Sequence, residues 1–102
     1  MIPLQDILIY SGLLFAVGVF GVLTRRNFIM LLVSIEIIMN AAILNFIAFA
    51  VYSPTASVTG QGVAVILIGL AATEVAVGLA IVVALNRIIG SVNVSKAMEL
   101  KL

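Results

Sequence analysis

Between Val63 and Leu85 the chain runs through apolar and small residues broken by a single carboxylate, Glu74, near the middle. As an α-helix this stretch would extend roughly 34 Å at 1.5 Å per residue, enough to cross a hydrocarbon layer ~30 Å thick. A chain of 102 residues that is 65% hydrophobic and 9% charged cannot hide such runs in a soluble core, because its surface is too large for its volume. The sequence therefore reads as an all-α membrane protein, a single membrane domain over residues 1–102.

Two further runs support this reading. One spans about residues 4–23 and the other about residues 28–51. Pro3 precedes the first run, where a helix start tolerates proline, and Asp6 falls in the first turn, favourable against the helix dipole. The N-terminus has no basic stretch ahead of its apolar run and no clear cleavage site, so the run is expected to be a retained span. Residues 24–27 form a very short first loop, which makes the first two helices an antiparallel hairpin. Residues 52–62 form the second loop, and residues 86–102 a mixed tail, read as a short amphipathic segment or an extended strip.

All five basic residues, Arg25, Arg26, Arg87, Lys96 and Lys101, fall on one side of this topology. Basic loops face the cytoplasm, so the expected order is N-terminus outside (periplasmic), three spans, C-terminus cytoplasmic. Arg25 and Arg26 serve either as topology determinants and headgroup anchors or as support for a buried acid. Gly18 and Gly21, three apart, share a face that would admit close helix approach. Glycine is also simply common in membrane helices, and the sequence leaves both readings open.

A formal charge of +1 rules out the field needed to hold nucleic acid, and the absence of cysteine and histidine excludes thiolate or imidazole chemistry within this chain. What remains chemically active is two acids. An ionisable residue inside a membrane helix is expensive, roughly 2.5–3.5 kcal/mol on insertion scales, and marks a functional site by default. Glu74 counts as central between Gln61 and Arg87. Glu36, ten residues beyond Arg26, counts as buried about 15 Å from the cytoplasmic end and so several ångströms nearer that side. Asn40 shares the face of Glu36 four residues on, whereas Asn45 faces elsewhere. Asn40 and Thr73 are the polar residues placed to support the two acids. Groups that exchange protons at such depths suit a proton relay; the plainer reading is that both acids glue helices together through hydrogen bonds. Three helices cannot enclose a wet path alone, and the small residues Ala71, Ala72, Thr73, Ala76, Gly78 and Ala80 cover several directions of the third helix. A larger membrane assembly is expected.

Ser34-Ile35-Glu36 followed by Asn40-Ala41, Gly60-Gln61, and the stretch Ala71-Ala72-Thr73-Glu74-Val75-Ala76-Val77-Gly78-Leu79-Ala80-Ile81 resemble the smallest membrane subunit of respiratory complex I. This is the subunit K family of bacterial NADH:quinone oxidoreductase, called 4L in mitochondria. The likeness runs over about residues 10–87 and includes the Thr24-Arg25-Arg26-Asn27 loop. It implies a non-redox subunit of a proton-pumping translocase, set in the inner membrane of a bacterium between quinone-proximal and antiporter-like subunits. It implies that Glu36 and Glu74 belong to a hydrated axis of charges linking quinone chemistry to proton translocation. It also implies that NADH, FMN, iron–sulfur clusters and quinone are bound by other subunits. The competing readings are a small subunit of a multisubunit sodium/proton antiporter, and a subunit of a related ferredoxin-, hydrogenase- or F420-linked complex. A small multidrug exporter would need four spans and an acid in the first; a pure assembly protein is the remaining class.

Overall fold

The computed structural model describes residues 1–53, 58–90 and 92–99; Lys101 and residues 54–57 of the second loop lie outside them. Three helices are long and apolar enough to cross a membrane: α1 (Leu4–Thr24), α2 (Phe28–Tyr52) and α3 (Val58–Ile89). A short α4 (Val94–Glu99) follows. Hydrocarbon offers no partner to a backbone N–H or C=O, so apolar runs of this length satisfy their peptide groups internally, as helices.

The boundaries depart from the hydropathy reading mainly in α3. Residues 58–62 are helical rather than loop, and the helix runs on through Asn86 to Ile89, for 32 residues in all. Hydropathy marks the part that fits hydrocarbon, whereas a helix continues until something stops it. The stop is Gly90, whose φ of 68° lies in the left-handed region and whose N–H donates to the Asn86 carbonyl at 2.8 Å. That is the usual glycine termination of a helix.

The chain then turns back onto the first loop. The Phe28 N–H donates to the Val92 carbonyl at 2.8 Å, and the Val94 N–H donates to the Arg26 carbonyl at 2.6 Å, an antiparallel bridge centred on Asn27 and Asn93. Each of these asparagines also caps a helix: the Asn27 side chain accepts from the Ile29 N–H, and that of Asn93 accepts from the Ser95 N–H, both at 2.8 Å. The first loop and the start of the tail are thus one folded unit at one end of the molecule, where Arg25, Arg26, Arg87 and Lys96 gather. At the opposite end the Tyr52 hydroxyl donates to the Ile2 carbonyl.

α2 is the central stave. It packs along α1 on one side and α3 on the other, while α1 and α3 have at most marginal contact. The interior is built from small residues. Ser11, Ser34, Ala41, Ala48, Ala50, Ala64 and Ala71 are buried, while large residues such as Leu13, Phe20, Ile66 and Leu70 face outward. Packing by small residues is the membrane pattern, because lipid is as good a solvent for leucine as another leucine.

The α1–α2 seam depends on Gly18 and Gly21. A Cβ at Gly18 would come within 2.5 Å of Ile38 Cγ1 and 3.0 Å of the Ser34 carbonyl oxygen, and one at Gly21 would collide with the Ser34 hydroxyl. The shared face of these glycines is therefore a real point of close approach. Ser34 satisfies its own hydroxyl by donating to the Met30 carbonyl at 2.8 Å. Gly18→Ala is expected to lower stability by about 1–3 kcal/mol through overpacking, whereas Gly69→Ala, with nothing within 4 Å of its Cβ, should leave it unchanged. Thermal unfolding of the two variants in detergent micelles checks this; equal melting temperatures would contradict the packing.

Candidate functional site

The face of α3 toward α2 is set by a spacing of threes and fours. Ala64, Leu67, Ala71, Val75, Gly78, Val82 and Leu85 are buried or half-buried and form one stripe. Opposite it, Leu32 of α2 lies against Gly78, where a Cβ would come within 2.6 Å of Leu32 Cδ2. Further along, Ile43 and Met39 pack with Ala64, Leu67 and Ala71.

This register fixes the depth of the two acids. α2 and α3 run antiparallel with equal rise per residue. Moving four residues on from Leu32 and four back from Gly78 brings Glu36 and Glu74 to about the same level. The offset of several ångströms counted from the basic residues is not reproduced. Those residues sit on ends of unequal shape, a tight loop for Arg26 and a helix that overruns for Arg87, so they are poor depth markers.

Level in depth, the acids lie on different flanks of the α2–α3 seam. Glu36 is half-buried and lines a groove of about 350 Å³ together with Asn40, Leu32, Val75 and Leu79. Asn40 thus shares the face of Glu36, as their spacing implies. Glu74 is not part of that groove. One residue back from Val75, it is turned by about 100° around α3 to the other flank, and on this chain it is exposed. Thr73, also exposed, donates its hydroxyl to the Gly69 carbonyl at 2.9 Å, which leaves its oxygen as a further acceptor. Arg25 and Arg26 are exposed in the loop, roughly 15 Å along α2 from Glu36, too far for a direct ion pair. This chain does not bring the two carboxylates, or either carboxylate and an arginine, into contact.

Reading the sequence alone missed one polar pair. Ser11, 2% exposed, donates its hydroxyl to Asn45 Oδ1 at 2.5 Å across the α1–α2 seam. Asn45 therefore does face away from Glu36, toward α1. The signal was the hairpin itself: so short a loop runs α2 back along α1, and the two polar residues each lie well inside their helices at the end away from that loop. An interhelical bond of this kind is worth about 0.6 kcal/mol, up to ~1.7.

Because the chain has no native cysteine, the register can be tested by oxidation. A Leu32→Cys/Gly78→Cys pair is expected to cross-link readily, and a Glu36→Cys/Glu74→Cys pair at the same depth is not. Comparable yields on a denaturing gel would contradict the placement of the acids on separate flanks.

A family model described as NADH-ubiquinone/plastoquinone oxidoreductase chain 4L matches residues 6–101. NADH-quinone oxidoreductase subunit K 1 of Syntrophobacter fumaroxidans is 43% identical over 101 residues, covering 99% of each chain. The subunit K of Anaeromyxobacter dehalogenans is 43% identical over 98 residues, 96% of this chain and 97% of its own. That of Flavobacterium johnsoniae is 45% identical over 100 residues, 98% of this chain and 92% of its own. With three apolar helices in the fold and a likeness that runs nearly end to end, the chain belongs to the NADH-ubiquinone/plastoquinone oxidoreductase chain 4L family.

Proposed function

We propose that the chain is a non-redox membrane subunit of a proton-translocating NADH-quinone oxidoreductase, and that Glu36 and Glu74 are two stations of a lateral proton path through it. The observation that carries this reading is their placement. Two carboxylates stand at one depth inside apolar helices, on opposite flanks of a single helix seam, and among the described residues neither has a basic group beside it. A path that enters on one flank and leaves on the other uses that layout directly. Helix glue within this chain does not, since each acid would then be bonded across the seam.

Each glutamate accepts a proton from one side and releases it to the other, with water or groups of neighbouring chains bridging the gap. The charge of one acid acts on the other through a medium of low dielectric, so a protonation change at Glu36 biases Glu74 and the reverse. A charge displacement arriving from the quinone side would pass along this pair as alternating protonation. Asn40, in the same groove as Glu36, and the Thr73 hydroxyl oxygen, beside Glu74, supply hydrogen-bonding groups that hold the acids or their waters in place. The redox groups, NADH, FMN, iron–sulfur clusters and quinone, belong to other subunits.

The loop and tail that carry Arg25, Arg26, Arg87 and Lys96 face the cytoplasm on this reading, with the N-terminus outside and the membrane a bacterial inner membrane. The gathering of these four residues at one end of the folded chain supports that orientation. The open flanks of the helix row are where quinone-proximal and antiporter-like subunits would pack.

Glutamine keeps the hydrogen-bonding shape of glutamate and removes its exchangeable proton, so it separates a relay from glue. In the assembled complex, Glu36→Gln and Glu74→Gln are each expected to lower proton translocation about tenfold or more, ~1.4 kcal/mol on the limiting step. Glu74→Asp should retain part of it. Pumping per electron at the wild-type stoichiometry in Glu74→Gln, measured in vesicles, would overturn the proposal.

A further inference from the structure

Two connections tie α3 to the rest of the chain, and they differ in slack. At one end residues 53–57 join it to α2. At the other, Val92 and Val94 bond to Phe28 and Arg26 of the α1–α2 hairpin. We propose that this pairing of the tail with the first loop is a register lock, which stops α3 from sliding along α2 and so keeps Glu74 at the depth of Glu36. The lock is a property of the fold, independent of the proton path; only its use in that path rests on the proposed function.

The argument is one of lengths. Leu32 lies against Gly78, and Met39 and Ile43 pack with Leu67 and Ala71, so one register holds along the seam. In an antiparallel pair with equal rise, it puts Tyr52 level with Val58 and Phe28 level with Val82. Six peptide steps from Tyr52 to Val58 can span roughly 20 Å, whereas packed helix axes stand only about 8–10 Å apart. That loop has length to spare and permits a slide. At the other end α3 runs on from the level of Phe28 to Ile89, an overshoot of about 10 Å. The chain must come back by as much to reach the first loop. Three peptide steps from Ile89 to Val92 reach at most about 11 Å, and the left-handed turn at Gly90 shortens that reach. The return is close to its limit, so α3 cannot shift farther out at this end without breaking the bonds of Phe28 and Val94.

Little else opposes such a shift. α1 and α3 have at most marginal contact, so a single seam holds α3. Lipid solvates the apolar side chains of that seam as well as the seam does, so no hydrophobic drive restores the register. The bonds of the lock take nothing from the helices either. Phe28 and Val94 are the first residues of α2 and α4, where the N–H has no partner within the helix.

Proline is tolerated at a first helical position and removes the N–H, which gives the test. In the complete complex in native membranes, a Leu32→Cys/Gly78→Cys pair reports the observed register, and a Leu32→Cys/Val75→Cys pair reports α3 shifted outward by three residues. Val94→Pro is expected to lower the ratio of the first cross-linking yield to the second about threefold or more. Val94→Ala, which keeps the N–H, should leave the ratio unchanged. Two glycines inserted between Gly90 and Val92 keep both bonds but add slack, and should lower the ratio as Val94→Pro does. An unchanged ratio in Val94→Pro or in the lengthened chain, or an equal fall in Val94→Ala, would overturn the proposal. The ratio needs no turnover, so a failed lock and a failed proton path are told apart.

Discussion

Hydrocarbon gives a polar group nothing to bond to, and the structure follows from how each polar group of this chain escapes that condition. The backbone escapes by coiling into three long helices. Ser34 and Thr73 escape by donating a hydrogen bond to a carbonyl one turn back on their own helix. Ser11 finds Asn45 across a seam. Glu36 and Glu74 find no such partner among the described residues, and they are the most costly groups to leave so. That division separates the residues that build the fold from the two acids to which the proposed proton path assigns a role.

The central position of α2 is the second consequence. Without a hydrophobic drive between helices, association depends on close contact, and close contact depends on small residues. α2 meets Gly18 and Gly21 of α1 through Ser34 and Ile38, and meets Gly78 of α3 through Leu32. The result is a row of helices rather than a closed bundle. A row has two open broad faces lined by large apolar side chains, and polar groups set into them at Asn45, Asn40 and Glu74. Such a shape is a component of a wider helix array, in keeping with a family of oxidoreductase subunits.

Much of this was legible in the sequence. Hydropathy located the three spans, a three-residue periodicity located Gly18 and Gly21 on one face, and the i, i+4 spacing joined Glu36 to Asn40. The acids themselves were visible because a carboxylate in an apolar run is costly enough to require a reason. Other features were not legible, for physical reasons. The overrun of α3 past residues 63–85 escapes a hydropathy count because helix formation does not stop where hydrocarbon does. The pairing of Asn27 with Asn93 is made by backbone groups, which leave no pattern in side chains. The common depth of Glu36 and Glu74 depends on the register of Leu32 against Gly78, and their separation onto two flanks depends on a single residue of helical rotation at Val75. Distances counted from charged ends cannot resolve either.

The central claim is that Glu74 gains and loses a proton during turnover. Infrared difference spectroscopy of the assembled complex, comparing resting and NADH-reduced states, reads this most directly through the C=O stretch of a protonated carboxyl. The account predicts a band that shifts in deuterated water and disappears in Glu74→Gln while the bands of the redox groups persist. A difference spectrum unchanged by Glu74→Gln in that region would mean that the carboxylate keeps one protonation state throughout, and would contradict the account.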